Sequence, residues 1–331
     1  MSAYRSIAVI GAGAWGTALA ISLQRAGLAT TLWARDAALA GEINRTHSNT
    51  RRLPGVALDP AIQATADITE AAHGDLLLIA APAQSLRGVA RLVAPHARPG
   101  MPVVIAAKGL EQATGQRMSE VLAEEMPGAM VAVLSGPSFA TDVATGLPTA
   151  VTLAAPDGIG AALASAIGHK LFRPYWTSDI AGVEIGGSVK NVLAIAAGII
   201  AGRGLGASAH AALVTRGFAE LMRFGMAFGA RPETLTGLSG LGDLLLTASS
   251  PQSRNLALGL ALGRGATLTE ATASGKGISE GVWTAGAVAR IANARSIDMP
   301  VATAVAGIID GRLDVDQAIE GLLSRPFRAE A

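Results

Sequence analysis

Lys190 and Asn191 interrupt an almost wholly apolar helix in Glu184-Ile185-Gly186-Gly187-Ser188-Val189-Lys190-Asn191-Val192-Leu193-Ala194, in a chain where only 15% of residues are charged. A lysine desolvated in such a helix has its ammonium form disfavoured, which moves it toward the range where it can give and take protons near neutral pH. The same residue also reads as a lysine snorkelling from a helix end, and residue type alone leaves both readings open. Asp243, in Gly240-Leu241-Gly242-Asp243-Leu244-Leu245-Leu246-Thr247, is likewise a carboxylate in apolar surroundings. A buried Asp is seldom left unpaired, so a lysine or backbone partner is expected. Ser253-Arg254-Asn255 opens a further helix. There a guanidinium and free N–H groups would make a phosphate site, or Ser253 would simply cap the helix with Arg254 on the surface.

The stretch that must organise these groups is the beginning of the chain, where Ser6-Ile7-Ala8-Val9-Ile10 leads into Gly11-Ala12-Gly13-Ala14-Trp15-Gly16 and then into helix formers. This order of strand, tight turn and helix is the opening of a dinucleotide-binding unit. Gly11 permits the turn, Gly13 lets backbone approach a pyrophosphate, and Gly16 lets the helix pack on the strand. The first helical N–H groups, those of Ala14 and Trp15 included, then point at the anion. After the next strand the sequence runs Trp33-Ala34-Arg35-Asp36. An acid at this point takes a ribose 2′-hydroxyl and an arginine accepts a 2′-phosphate. Arg35 comes first, which favours NADP(H) with NAD(H) tolerated; a solvated loop arginine is the alternative.

Composition bounds the partners. A net charge of +1 provides no field for nucleic acid or an anionic membrane. With no cysteine there is no disulfide, thiol nucleophile or thiolate metal site. The five histidines, His47, His73, His96, His169 and His210, show no pair at ligand spacing, so no metal is expected. His96 and His169 read as surface residues, His210 as structural, and Trp176 and Trp283 as packing residues. Met1 to Arg5 run straight into the first strand, leaving no room for a signal peptide. The most lipid-like run, Val192 to Gly202, is about half of the ~20 residues a bilayer span needs. A cytoplasmic protein without stable membrane insertion is expected.

The first half alternates strand and helix. Strands are expected at Asp75–Ala80, Pro102–Ala106 and Val131–Leu134, each a continuous apolar run suited to a parallel strand covered on both faces. Thr46–Arg52 reads as a polar loop, and Thr149–Ala154 and Phe172–Thr177 as extended runs that finish the sheet. Ligands bind beyond the carboxyl ends of such strands, so the exits Ala107-Lys108-Gly109 and Ser135-Gly136-Pro137-Ser138-Phe139-Ala140 are the places to watch. After Ser178 the strand rhythm stops and helical lengths follow, among them Ile180–Ala201, Ala207–Phe228, Gly281–Ala294 and Val301–Ile309. The fold class is α/β: a Rossmann-like, mostly parallel sheet with helices on both faces over residues 1–178, then an all-α domain over 179–331.

These motifs, together with Ala107-Lys108-Gly109-Leu110-Glu111, Val189-Lys190-Asn191, Thr215-Arg216-Gly217, Gln252-Ser253-Arg254-Asn255 and Glu280-Gly281, resemble almost end to end the family of bacterial-type NAD(P)-dependent glycerol-3-phosphate dehydrogenases. The resemblance implies reversible hydride transfer between NAD(P)H and dihydroxyacetone phosphate, giving sn-glycerol 3-phosphate for glycerophospholipid synthesis. It implies a homodimer and a helical domain like the C-terminal domain of 6-phosphogluconate dehydrogenase. Lys190 would be the general acid/base, Lys108 would polarise the carbonyl and lower the pKa of Lys190, and Asp243 with Asn191 would orient them. Ser253, Arg254 and Asn255 would hold the phosphate, with Gly136 and Ser138 adding substrate contacts. The cofactor positions would be Gly11, Gly13, Ala14, Trp15, Gly16, Arg35, Lys108, Ala140, Arg254, Ile278 and Glu280. Ser208 and Ile278-Ser279 depart from the usual family residues, which bears on loop contacts and cofactor choice. A related 2-keto or β-hydroxy acid reductase would need a carboxylate pocket instead, and a non-catalytic NADP-sensing protein would need no lysine in an apolar helix.

Overall fold

A computed structural model of the chain describes residues 4–273 and 279–326. The apolar runs become an eight-stranded sheet. Its strands in chain order are β1 (Ser6–Ile10), β2 (Ala29–Trp33), then a separate hairpin of β3 (Ser48–Asn49) and β4 (Leu53–Ala57), β5 (Gln63–Thr65), β6 (Leu76–Ile79), β7 (Pro102–Ile105), β8 (Met130–Ser135), β9 (Thr149–Ala154) and β10 (Phe172–Thr177). The spatial order is β10-β9-β8-β7-β6-β1-β2-β5. All neighbours pair parallel except β8 and β9, so the two extended runs do finish the sheet but point the other way. Order reverses about β1, which opens a crevice at its carboxyl end between β2 and β6.

Alternation along the strands explains why both faces are covered. Ile7, Val9, Leu76 and Leu78 pack into one core with Leu19, Leu23 and Leu32, whereas Ala8, Ile10, Leu77 and Ile79 pack into another with Leu86, Val121 and Leu122. The expected polar loop at 46–52 is in part the β3–β4 hairpin. Asn49 causes the difference: a fully buried residue, its amide donates to the carbonyl of Ala12 at 3.0 Å and to Thr17 Oγ1 at 2.8 Å. Pro54 is tolerated because the hairpin has free edges. Trp176 packs at the edge of the sheet rather than in the core. It lies on the edge strand β10, across Gly160, and is 53% exposed. His169, expected on the surface, is half-buried with Nε2 3.0 Å from Ser22 Oγ.

Among the described residues, those beyond Thr177 form helices and their connections, built round the helix Ile180–Gly202. At 23 residues it is long and apolar enough to cross a membrane, longer than the run singled out from sequence, but 83% of its most apolar window is buried inside the protein. Its closest neighbour is the helix Arg254–Gly263, and glycines on both allow the approach. A Cβ on Gly198 would lie 2.2 Å from the Leu256 carbonyl oxygen, and one on Gly259 would lie 2.0 Å from that of Ile195. The two parts of the chain pack directly. Glu184, buried in the central helix, accepts from the N–H and hydroxyl of Ser119 in the first part at 2.7 and 2.6 Å, and burial raises its carboxyl to about 7.

In an exposed helix, Gly→Ala stabilises by about 1 kcal/mol. Gly198→Ala is expected to destabilise instead, by about 1–3 kcal/mol, because backbone on the facing helix cannot yield. Urea denaturation reads the sign, and a gain in stability would remove the close-packing argument.

Candidate active site

Two lysines from distant parts of the chain meet at one carboxylate. Asp243 begins the helix Asp243–Ser249 and is 1% exposed. Its Oδ2 accepts from Lys108 Nζ at 2.7 Å and its Oδ1 from Lys190 Nζ at 3.0 Å. Lys190 is 6% exposed, so the snorkelling alternative does not hold. Its ammonium also donates to Thr247 Oγ1 at 2.6 Å. Sequence reasoning missed Thr247, although its i+4 spacing from Asp243 on one helix was a legible signal.

Lys108 follows β7 and donates a second bond to the Gly136 carbonyl at 3.0 Å, beyond β8, an oxygen that Ser138 Oγ also reaches at 3.0 Å. The central helix passes close by because it has no side chain at Gly187, where a Cβ would lie 2.5 Å from Ser135 Oγ and 3.5 Å from Lys108 Cγ. The loop bearing Lys108 is held from the helix Leu86–Val93 and the turn before it. Gln84 donates to the Leu110 carbonyl and accepts from Gln112 N–H, both at 2.8 Å, while Arg87 grips both oxygens of Glu111 at 2.8 and 2.9 Å. Neither residue was singled out from sequence, since nothing local marks a clamp between segments over twenty positions apart.

Asn191 and Asn255 sit where the two glycine-packed helices meet. Asn255 Nδ2 donates to Asn191 Oδ1 at 2.9 Å and its Oδ1 accepts from Gly281 N–H at 3.1 Å; Asn191 Nδ2 lies 3.5 Å from the Lys108 carbonyl. Ser253 caps the helix, accepting from Leu256 N–H at 3.1 Å. Arg254 is exposed at its first turn, near enough to add to the positive field on Lys190. Burial lowers Lys190 to about 8; Lys108 and Arg254 push the same way and Asp243 opposes them. Two ammonium groups share one carboxylate, so the site carries an excess of positive charge aimed at an anionic or oxyanionic ligand.

On the other side of the crevice the turn after β1 fits a nucleotide pyrophosphate. Gly11 has φ +122°, a region side chains avoid, and a Cβ on Gly16 would lie 1.8 Å from the Gly11 carbonyl. A Cβ on Gly13 would meet nothing within 4 Å, so the approach is open. Gly13 caps the helix Ala14–Arg25 without a side-chain bond, leaving the first N–H groups free for an anion. Trp15 is half-buried, and its Nε1 is without a hydrogen-bond partner among the described residues. Glu280 accepts from Ala83 N–H at 3.4 Å, beyond β6, and its second oxygen is likewise unpartnered there; burial raises its carboxyl. Ala140 starts a short helix beyond β8, and Arg35 lies exposed beyond β2. Ile278 lies outside the described residues. Among those described, no group of His, Asp and Glu is placed to hold a metal ion.

The family models described as NAD-dependent glycerol-3-phosphate dehydrogenase N-terminus and C-terminus match residues 6–159 and 179–320. The glycerol-3-phosphate dehydrogenase [NAD(P)+] of Bradyrhizobium diazoefficiens is 59% identical over all of both chains, and that of Parvibaculum lavamentivorans 57% identical over 99% of each. A crystal structure of glycerol-3-phosphate dehydrogenase from Coxiella burnetii superposes with a TM-score of 0.93 at 39% identity, covering 97% of this chain and 99% of that one.

Asp243→Asn removes the anion that opposes the shift on Lys190. The pKa of Lys190 is expected to fall below its value in the unchanged protein. Lysine Nζ NMR shifts followed against pH read it, and a rise would contradict the charge arrangement.

Proposed function

The chain belongs to the NAD-dependent glycerol-3-phosphate dehydrogenase family, enzymes that use NAD or NADP, and from that premise we propose that Lys190 is its general acid/base, acting on the C2 oxygen of dihydroxyacetone phosphate and sn-glycerol 3-phosphate. The observation that carries this reading is the Lys108–Asp243–Lys190 arrangement, in which Asp243 and Lys190 are buried and Lys108 is supplied from the carboxyl end of β7. A nicotinamide held at the crevice would supply or accept the hydride at C2. In reduction, Lys190 gives its proton to the oxygen as the hydride arrives and is left as a neutral amine, which regains a proton from water; oxidation runs the same path backwards. Lys108 stabilises the negative charge that develops on the oxygen. Arg254 and the N–H groups at the start of its helix bind the phosphate, with the Ser253 and Asn255 side chains beside them. That phosphate gives binding energy away from the reacting carbon. Gly136, Ser138 and Asn191 complete the substrate side.

Gly11, Gly13, Ala14, Trp15, Gly16, Arg35, Ala140, Ile278 and Glu280 belong to the cofactor side in this reading, with NADPH preferred because Arg35 follows β2. The division of the chain at residues 178 and 179, a homodimer, a place in the cytoplasm and a role in supplying glycerol 3-phosphate for phospholipids belong to it too. A carboxylate-directed reductase would use the same guanidinium at a helix start, and a preference of the Ser253-Arg254-Asn255 site for phosphate monoesters over carboxylates separates the two.

Oxidation of NADPH and NADH with dihydroxyacetone phosphate, against unphosphorylated dihydroxyacetone, tests the reading directly; equal rates with both ketones would defeat it. Lys190→Ala is expected to abolish turnover while nucleotide binding survives, and full activity would overturn its role. Arg254→Ala should raise KM for the phosphorylated ketone by on the order of a hundredfold, with an unchanged value placing the phosphate elsewhere. Since Lys190 must be protonated to reduce and neutral to oxidise, kcat for reduction should fall as pH rises through about 8 and kcat for oxidation should rise there. Profiles moving in the same direction would count against a single lysine serving both.

A further inference from the structure

The β3–β4 hairpin joins the nucleotide turn to the carboxyl end of β2. At the end of β3, next to the turn, buried Asn49 is bonded to Ala12 and Thr17, which fixes the hairpin to the glycine-rich turn. At its tip, Arg51 Nη1 lies 3.1 Å from Asp36 Oδ2, and Arg51 Nε lies 3.9 Å from Glu42 Oε2. The other oxygen of Asp36 accepts from Ala38 N–H at 2.9 Å as the cap of the helix Ala37–Thr46. Asp36 is therefore engaged at both oxygens. A carboxylate beyond β2 ordinarily takes the adenosine ribose 2′-hydroxyl and repels a 2′-phosphate. Here its charge is met by the hairpin, while Arg35 beside it is exposed and makes no hydrogen bond or ion pair with the described residues.

We propose that Arg51 is a nucleotide-selectivity determinant: by pairing with Asp36 it removes the charge that would exclude a 2′-phosphate, so that Arg35 can accept one. The inference rests on the NADPH preference stated above and extends it to a residue on a neighbouring hairpin. Both members of the pair are more than half exposed, 57% and 53% at the side chain, so substitution is expected to leave the fold intact.

The test is the dissociation constant of NADPH and of NADH, read by quenching of intrinsic tryptophan fluorescence, with displacement by 2′,5′-ADP and by 5′-ADP as a readout independent of turnover. Arg51→Ala should weaken NADPH and 2′,5′-ADP by about tenfold while changing NADH and 5′-ADP by less than about threefold; Arg51→Lys should retain most of the affinity. Adding Asp36→Ala to Arg51→Ala should restore much of the loss, because the uncovered carboxylate is gone. Equal weakening of both nucleotides, or no recovery in the double variant, overturns the assignment. If the unchanged protein binds both nucleotides equally, the NADPH preference fails; the role of Arg51 is still decided by whether its variant changes their ratio.

Discussion

One buried carboxylate, Asp243, holds two ammonium groups together, that of Lys190 buried and that of Lys108 only partly exposed, and the arrangement of the site depends on it. In a low-dielectric setting the repulsion between Lys108 and Lys190 and the attraction of each to Asp243 are both strong. Removing one partner of a buried charge set costs about 3–5 kcal/mol, yet apolar residues in its place often fold as well or better. The cluster is thus better explained by what it does than by stability. With one negative charge against two positive ones, and Arg254 nearby, the cluster carries an excess of positive charge.

Such an arrangement needs two rigid supports. The sheet delivers Lys108 beyond β7, held by Gln84 and Arg87, while the central helix delivers Lys190 and the helices packed on it deliver Asp243, Asn255 and Arg254. The glycines between Ile180–Gly202 and Arg254–Gly263 bring the two backbones close enough for Asn191 and Asn255 to bond directly. A methyl group at that contact would push Asn255 and Arg254 away from Lys190, so close packing and the arrangement of these side chains are one constraint.

At the opposite end of the crevice the same logic acts through an uncharged residue. Asn49 spends its amide on the Ala12 carbonyl and Thr17 hydroxyl, which makes a stretch that reads as loop into a fixed hairpin. Polar and near glycine and proline, it carried no strand periodicity, and only its burial against the glycine-rich turn gives it form. Trp176 went the other way: it reads as a packing residue and does lie across Gly160, but the edge of the sheet leaves half its surface without a neighbour.

The sequence by itself determined the alternation of strand and helix, the nucleotide turn and the polar residues worth watching, because periodicity, turn chemistry and charge in an apolar run are local properties. The helical character of the second half and the lysine, carboxylate and guanidinium in it were legible for the same reason. Whether Lys190 turned inward or to solvent, that Thr247 would share its proton, that Ser253 would be spent as a cap, and that Arg51 would meet Asp36 were decided only in the tertiary structure. Each depends on which distant backbone comes within hydrogen-bond reach, and that is set by how closely helices and sheet can pack.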